Sequence, residues 1–188
     1  MWLAKVKESY GDDLQIEWRP FFLAQVNSTE GPEWKAWEQK EDSPKVGILA
    51  MRAGQAASRQ STQVFESFLL ALLRARHEDR VDLSDPKVIM DTAEASGLDM
   101  ARFREDLADE GIRQEMGESH THAVEELGVF GTPTFVFPNG AAAYLKTYQP
   151  PGEDSVEVFD SLVNVMGKWE YIGEIKRPQP PWPKGAFS

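Results

Sequence analysis

The sequence predicts an α/β fold, in which a few short strands share one sheet with helices packed over it. Leu14, Ile16 and Trp18 alternate with Gln15, Glu17 and Arg19, the period-2 pattern of a strand, and Pro20 ends it. Phe135-Val136-Phe137 is a second short apolar run, followed by Asn139-Gly140. That pair suits a type I′ hairpin turn, because both of its central residues need positive φ. Most of the residues between these two signals follow helical spacing. An isolated pair of strands is marginal in water, so the strands need helices to cover them.

The elements follow in order. Trp2, Leu3 and Val6 fit one face of a helix that ends near Tyr10, with Gly11 as its C-terminal stop. The strand over 14–19 comes next. Residues 24–57 read as polar and irregular, with Gly31-Pro32 and Ser43-Pro44 as turns and room for one short helix at Trp34 and Trp37. Val64, Phe65, Phe68, Leu69 and Leu72 make the strongest amphipathic helix, over about Ser58 to His77. Asp85-Pro86 starts another, with the aspartate as N-cap and the proline in the first turn. Asp99 caps a helix carrying Met100, Phe103 and Leu107 on one face, and a further helix ends at Gly128. After the hairpin, whose second strand lies in "AAAYLKT", Asp154 opens the last helix, with Glu157 placed for a capping box. Its apolar face is Phe159, Leu162, Val163 and Met166. The proline-rich end, "KRPQPPWPKGAFS", is expected to be extended.

Composition bounds the function. Hydrophobic residues make up 41% and charged residues 27%, as in ordinary globular proteins. A net charge of −11 repels phosphate backbones and argues against nucleic-acid binding. The apolar run from Phe68 to Leu73 is far too short for a membrane span. The opening "MWLAKVKESYG" lacks the apolar core of a signal peptide, so the reading is of a cytoplasmic protein. There is no cysteine, which removes disulfides, thiolate metal sites and thiol catalysis from this chain.

Other candidate chemistry is weak. His120 and His122 are two apart on a helix and do not share a face, so surface histidines are favoured over a metal pair, and no metal is expected. His77, at a helix C-terminus, suits the dipole there. Glu105, Asp106, Asp109 and Glu110 read as a solvated acidic face rather than an acid–base pair. Ser9, Ser28 and Ser58 have no evident base partner, and neither a P-loop nor a dinucleotide fingerprint is present. Trp2, Trp18, Trp34 and Trp37 read as core or groove lining.

The most specific stretch is "GVFGTPTFVFPNG", Gly128 to Gly140, where Thr132-Pro133-Thr134 stands at the mouth of an apolar strand. A proline there removes a ladder donor. Together with "IEWRPFFL", "WRPFFLAQVN" and "AEASGLDMARF", it resembles the DsbA-type members of the thioredoxin-like superfamily over most of the chain. The resemblance implies a single thioredoxin-like domain over 1–188, with a helical insertion at about 30–127 and an extended tail over 174–188. It implies a cis bond between Thr132 and Pro133, which X-Pro chemistry permits. It assigns Thr132 and Pro133 to substrate binding, with the backbone of Thr132 pairing an extended peptide.

The resemblance also implies thiol–disulfide oxidoreductase activity, with a protein or small molecule bearing a thiol or disulfide as substrate and no cofactor. The family's Cys-x-x-Cys lies at the N-terminus of its first helix, where the dipole stabilises a thiolate. Here that turn and the central strand before it would precede Met1, so no catalytic residue is expected in the chain and it is expected to be inactive. Three explanations are open: a start further upstream, a shortened redox-dead relative, or a partner that fills the strand, a homodimer included. The first is favoured, because a lost central strand exposes rows of backbone donors and acceptors. Two alternatives remain. One is a glutathione-dependent relative, of the 2-hydroxychromene-2-carboxylate isomerase or kappa-class transferase type, against which "AAAYLKTY" counts. The other is a non-catalytic, peptide-binding thioredoxin-like module.

Overall fold

The computed structural model describes residues 2–41, 43, 46–169 and 171–175. The tail over 176–188 lies outside the described residues. The chain divides into two compact units, one of residues 1–18 and 127–188 and one of residues 19–126.

The first unit holds α1 (Trp2–Tyr10), the strands β1 (Thr134–Val136) and β2 (Ala142–Tyr144), and the last helix, here α8 (Ser155–Leu162). Helix α1 stops where the sequence places its stop: Gly11 has φ +56 and a short 3-10 turn follows. Helices α1 and α8 pack together, and Trp2 joins them to the hairpin. Its ring meets Phe135 and Phe159 edge-on, with centroids 6.3 Å from each, while its indole N–H donates to the carbonyl of Ser155 at 2.8 Å. The Tyr10 hydroxyl bonds Asp160 on α8, and Val6 is fully buried. Helix α8 then widens into a π-helical turn over Val163–Gly167. The expected capping box does not form, because Asp154 has helical dihedrals (φ −91, ψ −5) and its side chain makes no cap bond.

Two expectations about the sheet are corrected. Residues 14–19 join no ladder among the described residues, and the sheet has two strands only, β1 and β2. The backbone leaves the 3-10 turn extended, at φ −108 and ψ 106 for Leu14, and Leu14 and Ile16 are half-buried beside exposed Gln15 and Glu17. The alternation is therefore present, but no strand among the described residues pairs with it. The hairpin loop is also longer than a two-residue type I′ turn. Phe137 N–H donates to the carbonyl of Ala141 at 2.8 Å and Gly140 N–H to that of Phe137 at 2.9 Å, enclosing Pro138, Asn139 and Gly140. Among these only Gly140 has positive φ, +87. Pro138 favours the first corner of a type I turn, and the glycine then supplies the left-handed residue.

The second unit is helical: α2 (Leu23–Val26), α3 (Ile48–Ser58), α4 (Thr62–His77), α5 (Pro86–Ala95), α6 (Met100–Ala108) and α7 (Gly111–Glu125). Helix α3 lies in the stretch expected to be irregular. Its buried face is Ile48, Leu49, Ala53, Ala56 and Ala57, and small residues give a weak apolar stripe while allowing close packing against α4, α6 and α7. The 3-10 turn Ala36–Glu38 takes the place of a short helix at the tryptophans. Phe68 of α4 and Phe103 of α6, both fully buried, meet edge to face at 5.7 Å in the core. Helix α4 starts at Thr62 rather than Ser58, because Ser61 is its cap, accepting from Val64 N–H. Asp85 and Asp99 cap α5 and α6 as the sequence predicts.

Candidate functional site

The site is built on the entry to β1. In the β1–β2 register, Thr134 faces Tyr144, Phe135 faces Ala143 and Val136 faces Ala142. Leu145 N–H donates to the carbonyl of Pro133 at 3.1 Å, so the proline occupies the first bonded position of the ladder. It gives its carbonyl and has no N–H to return, so the ladder opens with a single bond. A proline is tolerated at this mouth for that reason. One strand position further in, it would remove a bond from the middle of the pair.

The Thr132–Pro133 bond is cis, and both residues are exposed. The Thr134 hydroxyl donates to the carbonyl of Gly131 at 2.7 Å and ties the two ends of the turn together. Gly131 is buried against the Tyr144 ring, and a Cβ there would lie 3.0 Å from it. Among the described residues, the backbone of Thr132 makes no backbone hydrogen bond. Phe130 is 64% exposed and lies against Tyr144, itself 41% exposed, with ring centroids 5.0 Å apart.

Chemically, the turn and hairpin offer backbone groups and rings rather than charged side chains. Leu127 to Leu145 has no carboxylate, amine, imidazole or thiol. Backbone groups and two exposed rings are what it offers. The structure brings Thr132 and Pro133 together with Phe130 and Tyr144, which the sequence reading did not single out. The signal for Tyr144 was available only through the register: a three-residue loop sets it directly opposite Thr134.

The other candidates lie elsewhere. His120 is not a surface residue. It is 3% exposed, its Nδ1 accepts the Phe22 N–H at 3.2 Å, and it sits among Phe21, Phe22 and Trp37. Burial, with the charge of Lys35 adding to it, lowers its pKa. His122 is exposed. No group of acids and histidines among the described residues could hold a metal ion. The acidic face is also more structured than a solvated surface. Asp106 and Asp109 pair with Arg59 at 3.4 and 2.8 Å, and Glu110 reaches Arg52 and Arg113 at 3.2 Å each. Glu105 alone of the four stays an exposed acid without a role in this network.

A small two-stranded sheet entered through a proline turn, on a chain rich in helix, agrees with a thioredoxin-like fold. The chain belongs to the DSBA-like thioredoxin domain family, whose model matches residues 2–164. It is also 22% identical over 160 residues to the ClpXP adapter protein SpxH of Bacillus subtilis (strain 168). That match covers 85% of this chain and 50% of the relative, so the chain spans about half the relative's length. No helix among the described residues is long and apolar enough to cross a membrane.

Proposed function

We propose that this chain is a protein-binding member of the DsbA family that holds extended segments of a partner at the Thr132-Pro133 turn and carries out no thiol–disulfide exchange itself. The observation that carries this reading is the turn: exposed, free of charge, with the Thr132 backbone open and the Phe130 and Tyr144 rings beside it. An extended peptide could add one backbone rung at Thr132 and lay an apolar side chain on the rings. The absence of cysteine supports a binding role, since the family's chemistry requires a thiolate. A relative described as an adapter for ClpXP fits the same reading, because an adapter acts through protein contacts. The helical unit Arg19–Glu126 would correspond to the family's insertion. The cytoplasm is the proposed compartment, because "WRPFFLAQVN" is similar to the corresponding segment of a cytoplasmic, bacterial branch of the family.

The reading is tested with reduced, alkylated insulin B chain as an unfolded ligand. The protein should bind it, and Phe130→Ser with Tyr144→Ser should weaken capture about tenfold, the equivalent of roughly 1.4 kcal/mol. Reduction of intact insulin disulfides should not exceed the buffer rate. Equal capture by the double variant would overturn the assignment of the site, and turnover of insulin disulfides would overturn the non-catalytic reading.

A further inference from the structure

Asn139 is the one asparagine in the chain followed by glycine; Asn27 precedes Ser28 and Asn164 precedes Val165. An Asn-Gly pair is chemically reactive, because a glycine nitrogen with no Cβ beside it can approach the carboxamide carbon of the asparagine. Attack by Gly140 N on Asn139 Cγ closes a five-membered succinimide ring and expels ammonia. Water then opens the ring at one carbonyl or the other, giving aspartate or isoaspartate. Asn139 and Gly140 are both exposed, so water reaches the pair.

The folded loop engages every group this reaction needs. Asn139 Nδ2, the leaving nitrogen, donates to the carbonyl of Gly167 at 2.8 Å, while Asn139 Oδ1 accepts from Ala141 N–H at 3.1 Å. A carbonyl only accepts and an amide N–H only donates, so the two contacts fix which way the carboxamide points. Gly140 N–H, which must lose its proton to attack, donates to the carbonyl of Phe137 at 2.9 Å. The same loop is clasped to the π-helical turn that ends α8. Besides the Asn139 bond, Phe137 lies against Gly167, where a Cβ would stand 3.0 Å from the ring.

We propose that Asn139-Gly140 is a spontaneous modification site latched by the folded hairpin, and that its conversion to isoaspartate keeps an opened hairpin from closing again. The product has no side-chain N–H to give the Gly167 carbonyl and sets a carboxylate against that oxygen. It also brings a charge to a hairpin that has none between Leu127 and Leu145. Isoaspartate adds the side-chain methylene to the main chain, so the three-residue loop no longer joins Phe137 to Ala141 in register. A local opening, otherwise reversible, becomes permanent at this loop. The loop lies at the opposite end of β1 from Thr132-Pro133, and the chemistry needs no bound peptide.

The test incubates the full chain at mildly alkaline pH, folded and in urea. Peptide mapping follows the amide-to-acid mass change at Asn139, with Asn27 and Asn164 as internal references. In urea Asn139 should convert about tenfold faster or more than in the folded chain, and ahead of both references. Equal rates in the two states overturn the proposal, as does a rate in urea no greater than that of the references. Chain converted in urea and returned to buffer should exchange the Phe137 amide, which closes the loop, about tenfold faster or more than unconverted chain taken through the same cycle. Asn139→Asp carries the charge without the extra main-chain carbon, so it should speed that exchange less. Phe137 exchange as slow in the converted chain as in the unconverted one overturns the proposal, and so does an Asn139→Asp chain that exchanges as fast as the converted one.

Discussion

At the scale of single residues, His120 shows how a polar side chain enters a core. Its ring lies among three aromatic rings, and its Nδ1 satisfies the Phe22 N–H, which would otherwise be a buried orphan. Truncation in His120→Ala removes the acceptor and leaves a cavity, so urea denaturation should show a loss of about 2–4 kcal/mol. The imidazole pKa is held below its ordinary 6.5. The unfolded chain therefore takes up the proton first, and stability present above about pH 6.5 is lost as the pH falls through the folded value. His120→Gln keeps an acceptor and cannot titrate, so its unfolding free energy should fall less between pH 7 and pH 5 than that of the parent chain. A slope equal to the parent's would show that other groups govern this range. Two positions apart on a helix, with no view of what covers either, His120 and His122 could not be told apart in the sequence. Burial of one and exposure of the other depends on Phe22 and Trp37, 98 and 83 residues before His120 in the chain and brought close only by folding.

At the scale of elements, local chemistry is a good guide where the signal is local. The Asp99 carboxylate accepts from Ala101 and Arg102 N–H at 2.9 and 3.1 Å, as a cap should. Asp154, equally plausible by sequence, makes no such bond. Asp99→Ala should therefore cost about 1 kcal/mol, whereas Asp154→Ala should stay within about 0.5 kcal/mol of the parent. Chemical denaturation of the two variants side by side checks this, and equal losses would contradict it. Helix α3 was hidden for a different reason. Its buried positions are largely alanine, and alanine is as compatible with a surface as with a close helix contact. Asn139-Gly140 suggests a two-residue turn, but Pro138 before it leads to a three-residue loop. A proline fixes φ near −65° and so selects the turn type before the glycine is reached.

At the scale of the whole molecule, each unit rests on a different device. The helical unit combines an aromatic and aliphatic core with an arginine–carboxylate network. Arg52 is 4% exposed, pairs with Glu41 and Glu110, and donates to the carbonyl of Leu107 at 2.6 Å. Arg113 shares both acids and donates to the carbonyls of Trp37 and Gln39. Arg52→Ala empties a buried site and leaves the Leu107 carbonyl without its donor, and should cost about 2–4 kcal/mol. Arg52→Met keeps the apolar stem and should cost less, because the site stays filled while Arg113 faces the two acids in both variants. Equal losses in the two, by urea titration, would mean that charge rather than packing dominates. Nearby, Arg59 and the Gly111 N–H hold the Asp109 carboxyl below its ordinary range. That contribution is present above the unfolded carboxyl value and is lost as acid lowers the pH through the folded one. Among its described residues the hairpin unit has less to rely on: buried Val6, Val129 and Ala143, the Trp2 contacts, and a sheet of two strands.

The sequence by itself determined that the chain contains no thiol, where α5 and α6 begin and where α1 and α4 end, and that a proline turn opens a hairpin. Those features follow from composition or from bonds between residues a few positions apart. Only the tertiary structure decided that Leu14 to Trp18 joins no ladder among the described residues, that His120 is core, that the acidic face is tied to arginines, and that Phe130 and Tyr144 flank the turn. Each of these depends on a partner far along the chain, or on the absence of one. A strand pattern states which face is apolar, but pairing needs a second backbone at hydrogen-bonding distance, and period-2 alternation carries no information about whether one is there.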